Sequence, residues 1–397
     1  MNKKSAARAA AVIEIGSNNV RMRISQWTKG SVVTLDRLEY PVSLGHDVFS
    51  TGSISFDSLR ELSAVLSKFS AALLSYNIEK PRVISCTALR EARNRALVVD
   101  QLKVRNGMDV AVLEDSQEKA YIYQEIIAKL GGGKPVQPGN TMIGYVGSGS
   151  IGVAVYDGEK IVYSQNISMG ALKLHDVLRR MRQESEDFHY IIEEYLDTIF
   201  NRVAIDRFQI KNLVLTGSQL ELVAQLCQAQ SPDGPYEIRT ENLTSLYKSI
   251  RSATAESIAN RFGITEERAA LLYTSLSIYN GLLRFCPTAD RVISPPVDIS
   301  EAILRYMLTP KAEAALASYL RQSALACAET TASSFSCDLN HSQRTGEIAC
   351  KIFDKLKKVH GLDPSKRLLL ELAAILHSCG SFVNVRQHNQ CTFDLIK

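Results

Sequence analysis

The sequence predicts an α/β protein in which one domain is repeated, followed by a separate all-helical domain. Three observations carry this expectation. Strand and helix patterns alternate from the N-terminus to about residue 300, and a strand–turn–strand unit opening at Gly16 recurs at Gly147, 131 residues on (147 − 16). Near Glu301 the strand patterns stop and only helical spacing remains.

The first unit is Ala11-Val-Ile-Glu-Ile-Gly-Ser-Asn-Asn-Val-Arg-Met-Arg-Ile24. Apolar residues run up to Gly16, and Val20, Met22 and Ile24 then alternate with Arg21, Arg23 and Ser25, the period of a half-buried strand. Gly16, Ser17, Asn18 and Asn19 form the turn. Such residues tolerate unusual backbone angles and can aim several N–H groups at one anion, although an ordinary hairpin gives the same pattern. Ser31–Leu35 reads as a third strand, and Leu44-Gly-His-Asp47 as a loop. Apolar residues at 59, 62, 65, 66, 69, 72 and 73 put one stripe on a helix over 56–75. Arg82–Cys86 is a strand, and Thr87 is placed as the N-cap of the following helix. Arg90 would then lie near the positive helix end, where a cation gains nothing from the dipole and is available to an anion. A solvated arginine is the plainer alternative. Asp109–Leu113 is a strand, and Glu114–Lys129 a helix with acidic first-turn residues that suit the dipole. The Gly- and Pro-rich run 130–139 marks a boundary.

Beyond it the opening pattern returns: strand Thr141–Val146, turn Gly147-Ser-Gly-Ser150, strand Ile151–Val155, a hairpin at Asp157-Gly158, and strand Lys160–Ile167. The repetition suggests two facing phosphate turns, with chance recurrence of a common hairpin as the alternative. Helices are expected near 172–182 and 186–202, a strand at Leu213–Thr216, and a helix opening at Gly217-Ser218. Ile264-Thr-Glu-Glu267 has the form of a capping box. The tail reads as helices interrupted near Phe335–Asn340, then His341–His360, then Pro364–His377 entered through Asp363 as N-cap. Domain limits are therefore set at 1–130, 131–300 and 301–397.

At 397 residues, 45% hydrophobic and 22% charged, the chain has ample material for several cores and is neither disordered nor fibrous. The apolar run near the N-terminus breaks at Glu14, so neither a signal peptide nor a membrane span is expected, and the cytoplasm is the expected compartment. Eight scattered cysteines without CxxC pairs read as free thiols. A formal charge of +4 is too small to argue for nucleic acid and suits an anionic small ligand.

These motifs, in this order, resemble the exopolyphosphatase/guanosine pentaphosphate phosphohydrolase (Ppx/GppA) family. Ile13-Glu-Ile-Gly-Ser-Asn-Asn19 is similar to its first phosphate loop, Thr87-Ala-Leu-Arg-Glu-Ala-Arg-Asn94 to its phosphate-binding arginine segment, and Gln117-Glu-Lys-Ala120 to its Glu-Glu-Ala segment. Tyr145-Val-Gly-Ser-Gly-Ser-Ile-Gly152 is similar to its second loop, and Ser168-Met-Gly-Ala-Leu-Lys-Leu174 to the segment after it. The resemblance implies two ribonuclease-H-like domains of the actin/Hsp70-like ATPase superfamily, then an HD-like helical domain, here shortened at its C-terminus. It implies phosphate contacts from Gly16, Ser17, Asn18, Asn19, Arg90, Gly147, Ser148, Gly149 and Ser150.

The departures bear on chemistry. Hydrolysis of a phosphoanhydride needs carboxylates to activate water and hold metal, yet the family's acids are replaced at Lys119, Tyr145 and Gly152. Glu118 and Glu14 are the acids left as catalytic candidates. The resemblance thus implies a protein that binds polyphosphate or a guanine nucleotide between its halves with hydrolysis impaired or lost, in a sensing or regulatory role. An active phosphohydrolase using Mg²⁺ is the alternative, and a structural protein with an unused cleft a third. The metal itself is left unknown, His377 being followed by Ser378 rather than an acid. A homodimer is expected, with no membrane or nucleic-acid partner.

Overall fold

The computed structural model describes residues 9–131, 137–181, 188–229, 231, 234–309, 312–363 and 365–396. The expected linker residues 132–136, the helix ends at 182 and 186–187, and Pro364 lie outside them.

Two sheets repeat one strand order. In the first, β1 (Ala9–Ile15), β2 (Asn19–Thr28), β3 (Ser31–Pro41), β4 (Arg82–Ser85) and β5 (Val110–Val112) lie in the order β3-β2-β1-β4-β5. Strands β1, β2 and β3 pair antiparallel, while β4 joins β1 and β5 joins β4 in parallel. The second sheet holds β6 (Asn140–Val146), β7 (Ile151–Tyr156), β8 (Ile161–Ile167), β9 (Ile210–Gly217), β10 (Tyr236–Arg239) and β11 (Arg291–Ser294), ordered β10-β11-β9-β6-β7-β8. Read from β8, its first five strands follow the order of the first sheet, and β10 adds an antiparallel edge. The expected duplication is therefore a repeat of topology, not only of a turn.

The alternation read on β2 places Val20, Met22 and Ile24 in the first core and leaves Arg21 and Arg23 on the other face. The helix Phe56–Ser75 buries Leu59, Leu62, Val65, Leu66, Phe69 and Leu73 against them, each such side chain contributing about 1.5–3 kcal/mol of transfer free energy. Ser55 caps it by accepting from the Ser58 N–H. The last helix of this unit, Ile299–Leu308, is pinned by charges: Arg305 grips Glu125 at 2.9 and 3.2 Å, and Arg23 reaches Asp298 at 2.8 Å and Glu301 at 3.3 Å. Glu125 is the buried member of this set, while the Arg305 side chain stays 41% exposed and screened by water.

Contacts divide the chain into two compact units, residues 1–153 with 165–313, and 154–164 with 314–397. Both halves of the duplicated α/β region thus fall in one unit except for residues 154–164, the β7–β8 hairpin, which count with the second. The second unit holds the helices Ala312–Ser334, Leu339–Lys355, Lys357–His360, Ser365–Leu376 and His388–Ile396 around a small core with Ala328, Ala332, Ile375 and Cys379. Asp363 accepts from the Ser365 N–H at the start of its helix. All eight cysteines are free thiols, and no helix among the described residues is long and apolar enough to cross a membrane.

Two local expectations are corrected. Leu44-Gly-His-Asp47 is not a loop but the first turn of a helix, Leu44–Thr51. Gly45 sits in that helix because a side chain there would stand 2.8 Å from Ser17 Cβ and 2.7 Å from Leu172 Cδ2, so glycine marks close approach rather than irregular backbone. Thr87 is not the N-cap but the first residue of a five-residue helix, Thr87–Glu91, and its hydroxyl accepts from Arg90 Nη2 instead. The expected single helix breaks at Ala92–Asn94, where the Asn94 amide bonds both the N–H and the C=O of Ile54, and resumes at Arg95–Asn106.

Candidate functional site

The two small-residue turns are built alike. In each, the opening glycine N–H donates to the carbonyl three residues on, Gly16 to Asn19 at 3.0 Å and Gly147 to Ser150 at 2.9 Å. The tip carbonyls are tied back: Ser17 O accepts from Gly45, Asn18 O from Val42, Gly147 O from Ala171, and Ser148 O from Leu172 and Lys173. Among the described residues the N–H groups of Ser17, Asn18, Ser148 and Gly149 donate to no protein acceptor, the arrangement that makes an anion-binding concavity. The tips meet, with Ser17 Oγ and Ser148 Oγ 3.0 Å apart. Asn19 differs from the rest in turning its amide to Glu39 Oε1 at 2.7 Å.

Arg90 sits in the last turn of its short helix, not near a helix N-terminus, and its donors are taken. Nη1 donates to Leu113 O (2.9 Å) and Glu118 Oε2 (3.0 Å), Nη2 to Thr87 Oγ1 and Asp115 Oδ1 (both 3.1 Å). Glu118, buried at 6% exposure, is therefore the counter-ion of Arg90 rather than a group held against the dipole alone. Sequence separation hides this, since residues 90, 115 and 118 converge only through the β4–β5 pairing.

Lys119 is the centre of the arrangement. It is 1% exposed, and its Nζ donates to Ser150 Oγ (2.7 Å) and Asp115 Oδ1 (3.1 Å) while lying 5.0 Å from the centroid of the Tyr145 ring. Its stem runs where a Gly152 side chain would be: a Cβ there would stand 2.9 Å from Lys119 Cδ and Cε and 2.4 Å from Tyr123 Oη. Lys119, Tyr145 and Gly152, the three positions singled out in the sequence, are thus one packed cluster, with Tyr145 supplying a ring face and Gly152 the space. Burial works to raise the pKa of Asp115, but Lys119, Ser150 and Arg90 hold it below the ordinary carboxylate range. Burial pushes the Tyr145 phenol well up, with the nearby carboxylates of Glu118 and Glu14 adding to the effect, so it stays neutral.

Glu14 is the contrasting acid. It stands on β1 opposite Arg21, 3.8 Å from the guanidinium, with Oε2 buried and without a hydrogen-bond partner among the described residues. Burial pushes its pKa up from 4.5 to about 7, against the pull of Arg21. Because the folded value lies above the unfolded one, the folded state holds the proton more tightly, and stability falls as pH rises from about 4.5 to about 7. At about 1.4 kcal/mol per pKa unit the penalty above pH 7 is at most about 3 kcal/mol, less in practice because 13% of the side chain meets water. Glu14→Gln is therefore expected to raise Tm by several degrees at pH 8 and to leave it nearly unchanged at pH 4, and melting curves at the two pH values would show an equal shift if the burial penalty were absent.

Sequence reasoning missed a third turn. Gly217 and Ser218, read only as a helix start, lie on the second small-residue turn: the Ser218 N–H donates to Val146 O at 2.7 Å. The signal was an apolar strand ending in Thr-Gly-Ser. Beside this turn opens a cavity of about 420 Å³ whose lining mixes cations such as Arg21, Arg37 and Arg268 with carboxylates such as Glu39, Glu221 and Asp298; the arginines alternating along β2 are its trace in the sequence.

With this geometry in hand, the comparisons are specific. The Ppx/GppA phosphatase family matches residues 23–304, and domain III of that family matches residues 324–397. An Aquifex aeolicus Ppx/GppA family member is similar at 20% identity over 76% of this chain and 97% of its own, with a TM-score of 0.63. An exopolyphosphatase from Cytophaga hutchinsonii is similar at 18% identity over 76% of this chain and 98% of its own, with a TM-score of 0.67. The fold class expected from the sequence holds: two mixed-sheet α/β domains of repeated topology and a C-terminal helical domain.

Proposed function

This chain belongs to the Ppx/GppA phosphatase family, and from that premise we propose that it binds polyphosphate or guanosine penta- or tetraphosphate between its two α/β halves, with hydrolysis lost, in a sensing or regulatory role. One observation carries the reading. At the family's acidic position stands Lys119, buried and neutralising the carboxylates that remain. Removing a general base typically costs ~10²–10⁴ in rate, while the backbone N–H groups that hold phosphate are untouched by these replacements.

Tripolyphosphate or pppGpp incubated with the protein and Mg²⁺ is expected to bind without release of phosphate above the blank. Arg90→Ala, which leaves Glu118 and Asp115 less compensated, is expected to weaken binding at least about tenfold. A second reading, an active phosphohydrolase, is favoured by one feature: a carboxyl with a pKa of about 7 at Glu14 is matched to proton transfer near neutrality. Phosphate release that Glu14→Gln or Glu118→Gln abolishes would establish that reading and end the first.

A further inference from the structure

We infer that the Lys119 ammonium stands in the place of a divalent cation, so that this cleft receives phosphate without a bound metal; the inference deepens the reading of the cleft as a phosphate site and rests on it only for its ligand arm.

The oxygens around Lys119 Nζ are those a hard cation would use. Ser150 Oγ lies at 2.7 Å, Asp115 Oδ1 at 3.1 Å and Glu118 Oε1 at 4.0 Å, and magnesium binds through carboxylate and hydroxyl oxygens of this type. Charge then decides. The carboxylates of Asp115 and Glu118 are matched by the cations of Arg90 and Lys119, which contact them directly. A divalent ion needs carboxylates whose charge is not already met, and adding one here would leave the cluster strongly positive. Space points the same way. Lys119 is 1% exposed, its stem fills the position a Gly152 side chain would take, and its ammonium lies against the Tyr145 ring. Moving it aside would uncover a buried charge. Among the described residues no group of three or more His, Cys, Asp or Glu is arranged to hold a metal ion, and the two carboxylates that could take magnesium positions here, Asp115 and Glu118, are already bonded to Lys119 and Arg90.

An ammonium on a stem differs from a metal in two testable ways. Chelators cannot remove it, and its single charge leaves no vacancy for a second cation. Titration of the protein with Mn²⁺, followed by the electron paramagnetic resonance of the free ion, is expected to show no binding up to about 1 mM, a range that catches even weak sites. Lys119→Ala and Lys119→Glu are expected to gain Mn²⁺ binding by at least about tenfold, Lys119→Glu the more strongly, and Mn²⁺ should raise the Tm of those variants and not that of the parent. Mn²⁺ binding by the parent that Glu118→Gln abolishes would overturn the inference, with circular dichroism checking that this variant keeps the parent fold. In the ligand arm, tripolyphosphate is expected to bind in EDTA, and binding that appears only when Mg²⁺ is added would overturn it as well. Silence toward tripolyphosphate in both buffers would instead overturn the functional reading, and the Mn²⁺ titration would still support or overturn the place given to Lys119.

Discussion

Gly152→Glu, which returns a carboxylate to the second turn, is expected to destabilise the protein by about 3 kcal/mol or more and to produce no hydrolysis. The new Cβ would meet Tyr123 Oη at 2.4 Å and the Lys119 stem at 2.9 Å, in a strand whose neighbours Ile151 and Val153 are fully buried. Either the lysine leaves its partners or β7 shifts. If Lys119 is the main obstacle, Gly152→Glu in a Lys119→Ala background will cost less than in the parent, with a coupling of about 1–3 kcal/mol in a double-mutant cycle. Thermal melts of the four proteins measure it. A Gly152→Glu variant that melts like the parent would show that the cluster is not packed as described.

The second large effect is expected at Gly217→Ala. Gly217 has φ +119°, a region open to glycine and strained for any other residue. A Cβ would stand 2.2 Å from Val146 O and 2.8 Å from Val146 C, backbone atoms that cannot rotate aside. The turn is held from behind as well: the Tyr279 hydroxyl donates to Ser218 O at 2.9 Å, and Thr216 Oγ1 to Pro295 O at 2.6 Å. Relief must come from the end of β6, where the second phosphate turn begins. A loss of about 4 kcal/mol or more is expected, read as a fall in Tm of about 10 °C, together with loss of polyphosphate binding. Unchanged melting would refute it.

The fold was largely legible in the sequence because its signals are periodic and local. The alternation at Val20, Met22 and Ile24, the stripe from Leu59 to Leu73 and the recurrence of a glycine turn at 147 each follow from a few adjacent residues. The site was legible only in part. Glycine means freedom in one place and crowding in another, and nothing local separates Gly45, inside a helix and pressed on Ser17, from a loop glycine. Lys119 reads in sequence only as a lost acid; its bond to Asp115, four residues back on the same helix, is local, whereas its burial and its bond to Ser150 depend on a residue 31 positions away. Arg90 likewise reads as a cation awaiting an anion, and finds two within the chain.

The Ser17–Ser148 contact sets a condition on binding. One phosphate oxygen accepting from both hydroxyls at ~2.7 Å holds them ~4.5 Å apart, against 3.0 Å in the structure. The hydroxyl–hydroxyl bond and a shared phosphate oxygen therefore exclude each other, and an anion held by both serines gains only the difference between its own bonds and the one it replaces, whereas an anion held by the turn N–H groups leaves the serine pair intact.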